Sequence, residues 1–313
     1  MPPPIRLNGW RVARPVHRRP GSPQKSIPIY HPHPTRTFST PPSPSLSSTV
    51  SADEISHFNA LASSWWDPHG PSRILHLMNP LRHDFIRRCR GSVAPAPCGS
   101  QLSYLDIGCG GGIFAESAAR LPRTQRVLGI DPSPSVISVA RAHARRDPLL
   151  SSKLAYANVS IESLPPPSPS LGKSPSLGKK REGEGGGTYD VVSVFEVLEH
   201  VSQPAAFLRH CAPYVKPGGW LVLSTMARTW MSWLTTIVAA EEVLRIVPRG
   251  THDWRKYIDE GELRGHFLST GEGYWTETRC MGVVYVPGLG WKEVEGSEKI
   301  GNYFFAVRRN PES

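Results

Sequence analysis

Apolar runs alternate with segments of helical spacing through the middle of the chain. Runs at 102–107, 126–131, 153–157, 189–195 and 219–225 predict strands, and the apolar positions between them predict helices over 112–121, 134–146 and 203–213. Strands that are apolar on both faces and separated by helices belong to a parallel sheet covered on both sides, so the fold class is α/β and doubly wound. VVYVPG at 283–288 and NYFFAV at 302–307 cluster strand formers around glycine turns. They predict a C-terminal antiparallel hairpin closing a mostly parallel, seven-stranded sheet. Ahead of the first strand, Ser51 and Glu54 form a capping box, and Phe58, Leu61, Ala62, Trp65 and Trp66 recur at helical spacing. A helix over about 52–66 would give the sheet an N-terminal helical cover.

Two stretches interrupt this rhythm. Residues 165–187 are rich in proline, glycine and serine and repeat the hexapeptide SPSLGK, which reads as a solvated insertion. Residues 1–50 read as a leader. The first 52 residues hold seven of the 36 bases, no acid and twelve of the 32 prolines. Rich in arginine and serine and free of acid, this segment reads as a mitochondrial transit peptide or as a disordered basic tail. Arg36-Thr37-Phe38-Ser39 resembles a matrix-protease site, which would start the mature chain near Ser39. Residues 51–313 then form one domain of roughly 240 residues once the insertion is set aside.

The net charge of +10 points to nucleic acid or a membrane only until it is located: outside the leader, 29 bases face 26 acids. The five cysteines, at 89, 98, 109, 211 and 280, form no C-x-x-C pair, so neither a disulfide framework nor a zinc knuckle is indicated.

The chemistry begins at LDIGCGGG, 105–112, a strand ending in Asp106 followed by Gly108, Gly110 and Gly112. A second strand ends in Asp131, nineteen positions after Gly112, near the spacing at which an acid receives ribose hydroxyls in Rossmann-like sheets. A dinucleotide site wants G-x-G-x-x-G, but Ile113 and Ala115 occupy the third-glycine places in the two frames. D-x-G-x-G-x-G instead resembles the first motif of class I S-adenosylmethionine-dependent methyltransferases, in which Asp106 would face the charged amino-acid end of the cofactor. By itself the segment is equally a tight strand-to-helix turn.

The strand YDVVSVF runs into Glu196, Glu199 and His200, whose offsets of three and four share one face if the strand opens into a helical turn. Two carboxylates and an imidazole there could hold Mg²⁺ or another divalent metal, or could cap the following turn. Phe195 could lie against adenine or the thioether. Lys216-Pro217-Gly218-Gly219 reads as a structural turn before the next strand. In 227–254, Trp230, Trp233, Leu234, Ile237 and Val238 recur at helical spacing as either a core helix or an interfacial one, and the tryptophans favour a membrane-facing lid insertion.

With FNALASSWWD, HLMNPLRHDFI, LDIGCGGGIFAESAARL, FEVLEHV, VPRGTHDW and IGNYFFAVRR together, the chain resembles the ubiquinone-biosynthesis O-methyltransferases, also called polyprenyl-dihydroxybenzoate methyltransferases, over about residues 54–309. The resemblance implies that Arg82, Asp106, Gly108, Gly110, Asp131 and Phe195 bind S-adenosylmethionine and that Glu196, Glu199 and His200 hold magnesium. The reaction would be in-line attack of a catechol oxygen on the sulfonium methyl, with His252 of GTHDW as a general base. It further implies two substrates, 3,4-dihydroxy-5-polyprenylbenzoate and 3-demethylubiquinol. The setting would be peripheral, on the matrix side of the mitochondrial inner membrane, beside other subunits of a ubiquinone-biosynthesis complex and without nucleic acid. Two rivals are a carbon methyltransferase of the same pathway, which needs no carboxylate triad, and a silent assembly or lipid-binding subunit, which would have lost cofactor residues. A nucleic-acid methyltransferase would carry an N-P-P-Y-type loop where this chain has FEVLEH.

Overall fold

The computed structural model describes residues 49, 56, 59, 62–70, 72–92, 100–167, 187–227, 258–270 and 273–312, all within one compact unit, Arg36–Ser313. The leader apart from Thr49, most of the 165–187 insertion, most of the 227–254 segment and His252 lie outside the described residues.

The first strand, β1, is Leu102–Ile107, followed by β2, Thr124–Asp131, and β3, Leu154–Asn158. Then come β4, Tyr189–Phe195, β5, Val215–Met226, β6, Trp275–Val286, β7, Gly290–Glu293, and β8, Asn302–Arg309. The order across the sheet is β3-β2-β1-β4-β5-β8-β6-β7. The first five strands pair in parallel, β8 inserts antiparallel between β5 and β6, and β7 hairpins onto β6. The sheet therefore has eight strands rather than the seven expected. The additional one is the four-residue edge strand after the 288–290 turn, where positive φ at Gly288 and Gly290 lets the chain fold straight back.

Burial follows the pleat. In β8, Tyr303, Phe305 and Val307 enter one core with Leu105, Val192, Phe207 and Leu221, while Phe304 and Ala306 enter the other with Phe85, Phe114, Tyr104 and Val222. A strand buried on both faces has no polar side to show, which is why NYFFAV does not alternate.

Among the described residues the α-helices with full bounds are α1, Arg73–Gly91, α2, Ile113–Ala119, α3, Pro134–Ala144, α4, Pro204–Cys211, and α5, Glu260–Thr270. Helix α1 was not anticipated from the sequence, and Pro80 lies inside it. Its buried stripe of Met78, Arg82, Phe85, Ile86 and Cys89 recurs at three- and four-residue spacing, and packing that stripe outweighs the hydrogen bond the proline removes. In the 52–66 segment, Ser56 and Asn59 are helical, but 62–64 form a 3₁₀ turn and 65–66 a plain turn, so no helix runs to Trp66. Lys216–Gly219 lies within β5, where the register jumps from Val215 opposite Tyr189 to Trp220 opposite Val191, so those residues bulge out of the ladder.

Candidate cofactor and methyl-transfer site

The site lies at the carboxyl ends of β1, β2, β4 and β5, the end of a doubly wound sheet where crossovers leave a crevice. The backbone N–H groups of Gly108 and Cys109 both donate to Ile130 O, at 2.8 and 3.0 Å, pinning the glycine turn to the neighbouring strand. Gly110 N donates to Asp131 Oδ2 at 3.0 Å, and Ser133 N donates to Asp131 Oδ1 at 2.9 Å. Asp131 therefore closes the turn from the next strand, and burial raises its carboxyl against those two bonds. Gly112 caps α2 at φ +88°, and a Cβ there would overlap the Tyr156 hydroxyl. At Gly110, φ +51°, a Cβ would stand 2.6 Å from the Trp65 ring. Both positions demand glycine for conformation and for space.

Asp106 ends β1 at 3 % exposure and accepts a 2.7 Å bond from Ser193 Oγ. Burial pushes its carboxyl up to about 7, with that hydrogen bond and the Arg82 charge pulling the other way. Arg82, 3 % exposed, projects from α1 with its guanidinium 4.7 Å above the Phe195 ring. The charges of Glu196 and Asp106 both act on it, and neither is paired with it among the described residues. Its Nη1 donates to Asn79 Oδ1 at 3.2 Å, whereas its Nε is buried with no partner. A buried N–H left over beside two acids is what an incoming carboxylate would satisfy, so these residues fit the amino-acid end of S-adenosylmethionine. The Phe195 ring itself is spent on Phe114 and Phe304, so its part in a cofactor site would run through its backbone.

Glu196 follows Phe195 with φ 56°, the one non-glycine residue of positive φ among those described. The strain is held by β5: Ser224 Oγ donates to Glu196 Oε1 at 2.5 Å and accepts from Glu196 N at 3.0 Å. Glu199, 6 % exposed, accepts from Thr225 Oγ1 at 3.2 Å, and burial, followed by the Glu196 charge, pushes it up to about 7. The charges of Glu196 and His200 both act on Glu199, so the three side chains lie near one another. Among the described residues no three His, Cys, Asp or Glu side chains group as a metal-holding set, and Glu196, Glu199 and His200 do not make one. Leu198–His200 is a 3₁₀ turn, and Glu196, at positive φ, lies outside it. The α-turn that the offsets of three and four assume does not form.

The described residues of the N-terminal cover, hereafter the strap, reach this end of the sheet. Thr49 donates N–H and hydroxyl to Glu162 Oε1, at 3.3 and 2.5 Å, and its carbonyl accepts from Ser202 N and Oγ. Asn59 Oδ1 accepts from Ser133 Oγ at 2.5 Å. Trp65 covers Gly110 and Gly111. Trp66 donates to Gly111 O at 2.9 Å and stacks on His143, 3.4 Å away and within 4° of parallel. His143 Nδ1 in turn lies 2.8 Å from the fully buried Glu116.

A methyltransferase-domain family model matches residues 46–271. The ubiquinone biosynthesis O-methyltransferase of Candida albicans, a mitochondrial protein, is 40 % identical over 301 residues, 83 % of this chain and 86 % of that one. Its counterpart in Schizosaccharomyces pombe is 42 % identical over 83 % of this chain and 87 % of its own. The chain belongs to the ubiquinone biosynthesis O-methyltransferases. It is thus an S-adenosylmethionine-dependent O-methyltransferase, and the Methylobacterium nodulans member, 38 % identical, is covered over 96 % of its length. Solved structures place this O-methyltransferase in the same fold. The magnesium protoporphyrin IX methyltransferase of Synechocystis PCC 6803 with bound SAH superposes with TM-score 0.54 at 16 % identity, over 82 % of this chain and 99 % of that one. The plantazolicin methyltransferase BpumL in complex with a monoazolic desmethylPZN analog and SAH gives 0.51 at 18 %, over 82 % and 97 %.

Proposed function

We propose that this O-methyltransferase transfers the sulfonium methyl of S-adenosylmethionine to a phenolic hydroxyl of 3,4-dihydroxy-5-polyprenylbenzoate and of 3-demethylubiquinol. One observation carries the reading: in a chain of this family, a buried, part-satisfied Arg82 lies within reach of the Asp106 charge beside the glycine turn. Arg82 would take the cofactor carboxylate, Asp106 its ammonium and Asp131 its ribose. The transfer needs alignment and loss of one proton: an O–CH₃ bond forms, the C–S bond breaks to release S-adenosylhomocysteine, and the phenol proton leaves. In this reading the Glu196–Glu199 pair at the end of β4 would receive that proton, with His252 in GTHDW a second acceptor.

The polyprenyl tail of such a substrate resides in a bilayer, which supports a peripheral site on the matrix face of the mitochondrial inner membrane. The 227–254 segment would touch lipid there, and other enzymes that handle the same tail would be neighbours. Among the described residues no helix is long and apolar enough to cross a membrane.

The deciding experiment incubates the purified protein with labelled S-adenosylmethionine and a short-tailed dihydroxybenzoate, with EDTA and with added magnesium. Methylation of the phenol that persists in EDTA and falls at least tenfold in Glu199→Gln, with cofactor affinity intact, supports the carboxylate reading. Loss in EDTA with recovery in magnesium supports a metal held by Glu196, Glu199 and His200 instead. Absence of phenol methylation in both conditions refutes the substrate assignment.

A further inference from the structure

Asn79 precedes Arg82 by almost one turn on the inward face of α1 and is 8 % exposed. Its two amide groups are both committed: Nδ2 donates to Ile113 O at 3.1 Å, and Oδ1 accepts from Arg82 Nη1 at 3.2 Å. The orientation of the amide is chemically fixed, because a main-chain carbonyl only accepts and a guanidinium only donates. Ile113 is the first helical residue after the glycine turn. Asn79 therefore ties the cofactor-side turn of β1 to the guanidinium. With Nη1 held by Asn79 and one guanidinium face lying on Phe195, the roll of the group is set, and the Nε edge remains without a protein partner. Without that tie the guanidinium is free to swing toward Glu196 or Asp106, the two acids whose charges already act on it.

We infer that Asn79 is a positioning residue that holds the Nε edge of Arg82 in place for the carboxylate of S-adenosylmethionine. The inference rests on the proposed role of Arg82. Its physical content is preorganisation: a clamp fixed before binding does not have to be ordered by the ligand.

The test uses the full chain and two probes that share a thioether nucleoside. S-adenosylhomocysteine carries the amino-acid carboxylate, and 5′-deoxy-5′-methylthioadenosine lacks it. Calorimetry on wild type, Asn79→Ala, Arg82→Ala and the double variant is expected to show about a tenfold loss of S-adenosylhomocysteine affinity in Asn79→Ala and a larger loss in Arg82→Ala. The double variant should be no weaker than Arg82→Ala, and methylthioadenosine affinity should stay within about twofold throughout. Asn79→Ser, which keeps a short hydroxyl acceptor, should fall between wild type and alanine and serves if the alanine variant does not fold. Equal weakening of both probes in Asn79→Ala or Asn79→Ser, additive losses in the double variant, or unchanged S-adenosylhomocysteine affinity would each overturn the inference. If Arg82→Ala itself binds S-adenosylhomocysteine like wild type, the Arg82 reading fails and takes the Asn79 role with it.

Discussion

Asp106 shows how one buried carboxyl couples binding to pH. Its pKa is pushed up to about 7 by burial, with Ser193 and Arg82 opposing and Asp131 adding to the rise, so the folded chain holds a proton that the unfolded chain sheds near the ordinary aspartate value. For this group, folding stability is therefore full at low pH and declines as pH rises toward about 7. An ammonium opposite the carboxyl favours the ionised form, so cofactor binding should expel a proton and weaken as pH falls below about 7. Calorimetry in two buffers of different ionisation enthalpy reads the proton, and Asp106→Asn should abolish it, which separates Asp106 from Glu199. Gly112→Ala makes a different point at the same scale. A left-handed cap blocked by Tyr156 should cost about 2 kcal/mol or more, read as a lower urea midpoint at unchanged slope. Of these residues, Asp106 and the glycines stand in one contiguous motif, and the role of Asp106 comes from that motif's resemblance to class I methyltransferases. Ser193, Asn79 and Ser224 were not legible in the sequence, since a lone serine or asparagine carries no periodic signal and acquires a role only through a partner distant in sequence.

Among the elements, the strands matched their expectations best: β1 and β4 occupy the spans their apolar runs predict. Such runs are self-announcing because a central strand must be apolar on both faces. Helix α1 escaped notice because its proline argues locally against it, and only packing on the sheet overrules that argument. The strap is another element that tertiary contact creates, since Thr49, Asn59, Trp65 and Trp66 meet the loops after four different strands. Trp66→Ala, which loses the Gly111 hydrogen bond and the His143 stack, should lower unfolding free energy by about 2 kcal/mol. It should also weaken S-adenosylhomocysteine binding, because the turn it braces faces the cofactor. A variant that is destabilised yet binds normally would show that the strap supports the fold alone.

Over the whole molecule, the proline-, glycine- and serine-rich composition of the insertion predicts that it adds nothing to the core, and loop-closure entropy grows only logarithmically with length. Joining residues 167 and 187 with a short glycine-serine linker should therefore leave the melting temperature within about 3 °C and phenol methylation unchanged. By itself the sequence determined the layered α/β class, the order of the parallel strands' runs, the glycine turn with its acids, and family membership, because each is written in local periodicity or contiguous motif. Only the tertiary structure decided that β8 enters between β5 and β6, that an eighth strand closes the edge, and that the chain after β4 takes a 3₁₀ turn at Leu198–His200 rather than an α-turn. It also decided that Arg82 lies buried with an idle N–H. The physical reason is common to all of these: pairing, register and the satisfaction of buried polar groups are settled between residues far apart in the chain, where no local pattern records the choice.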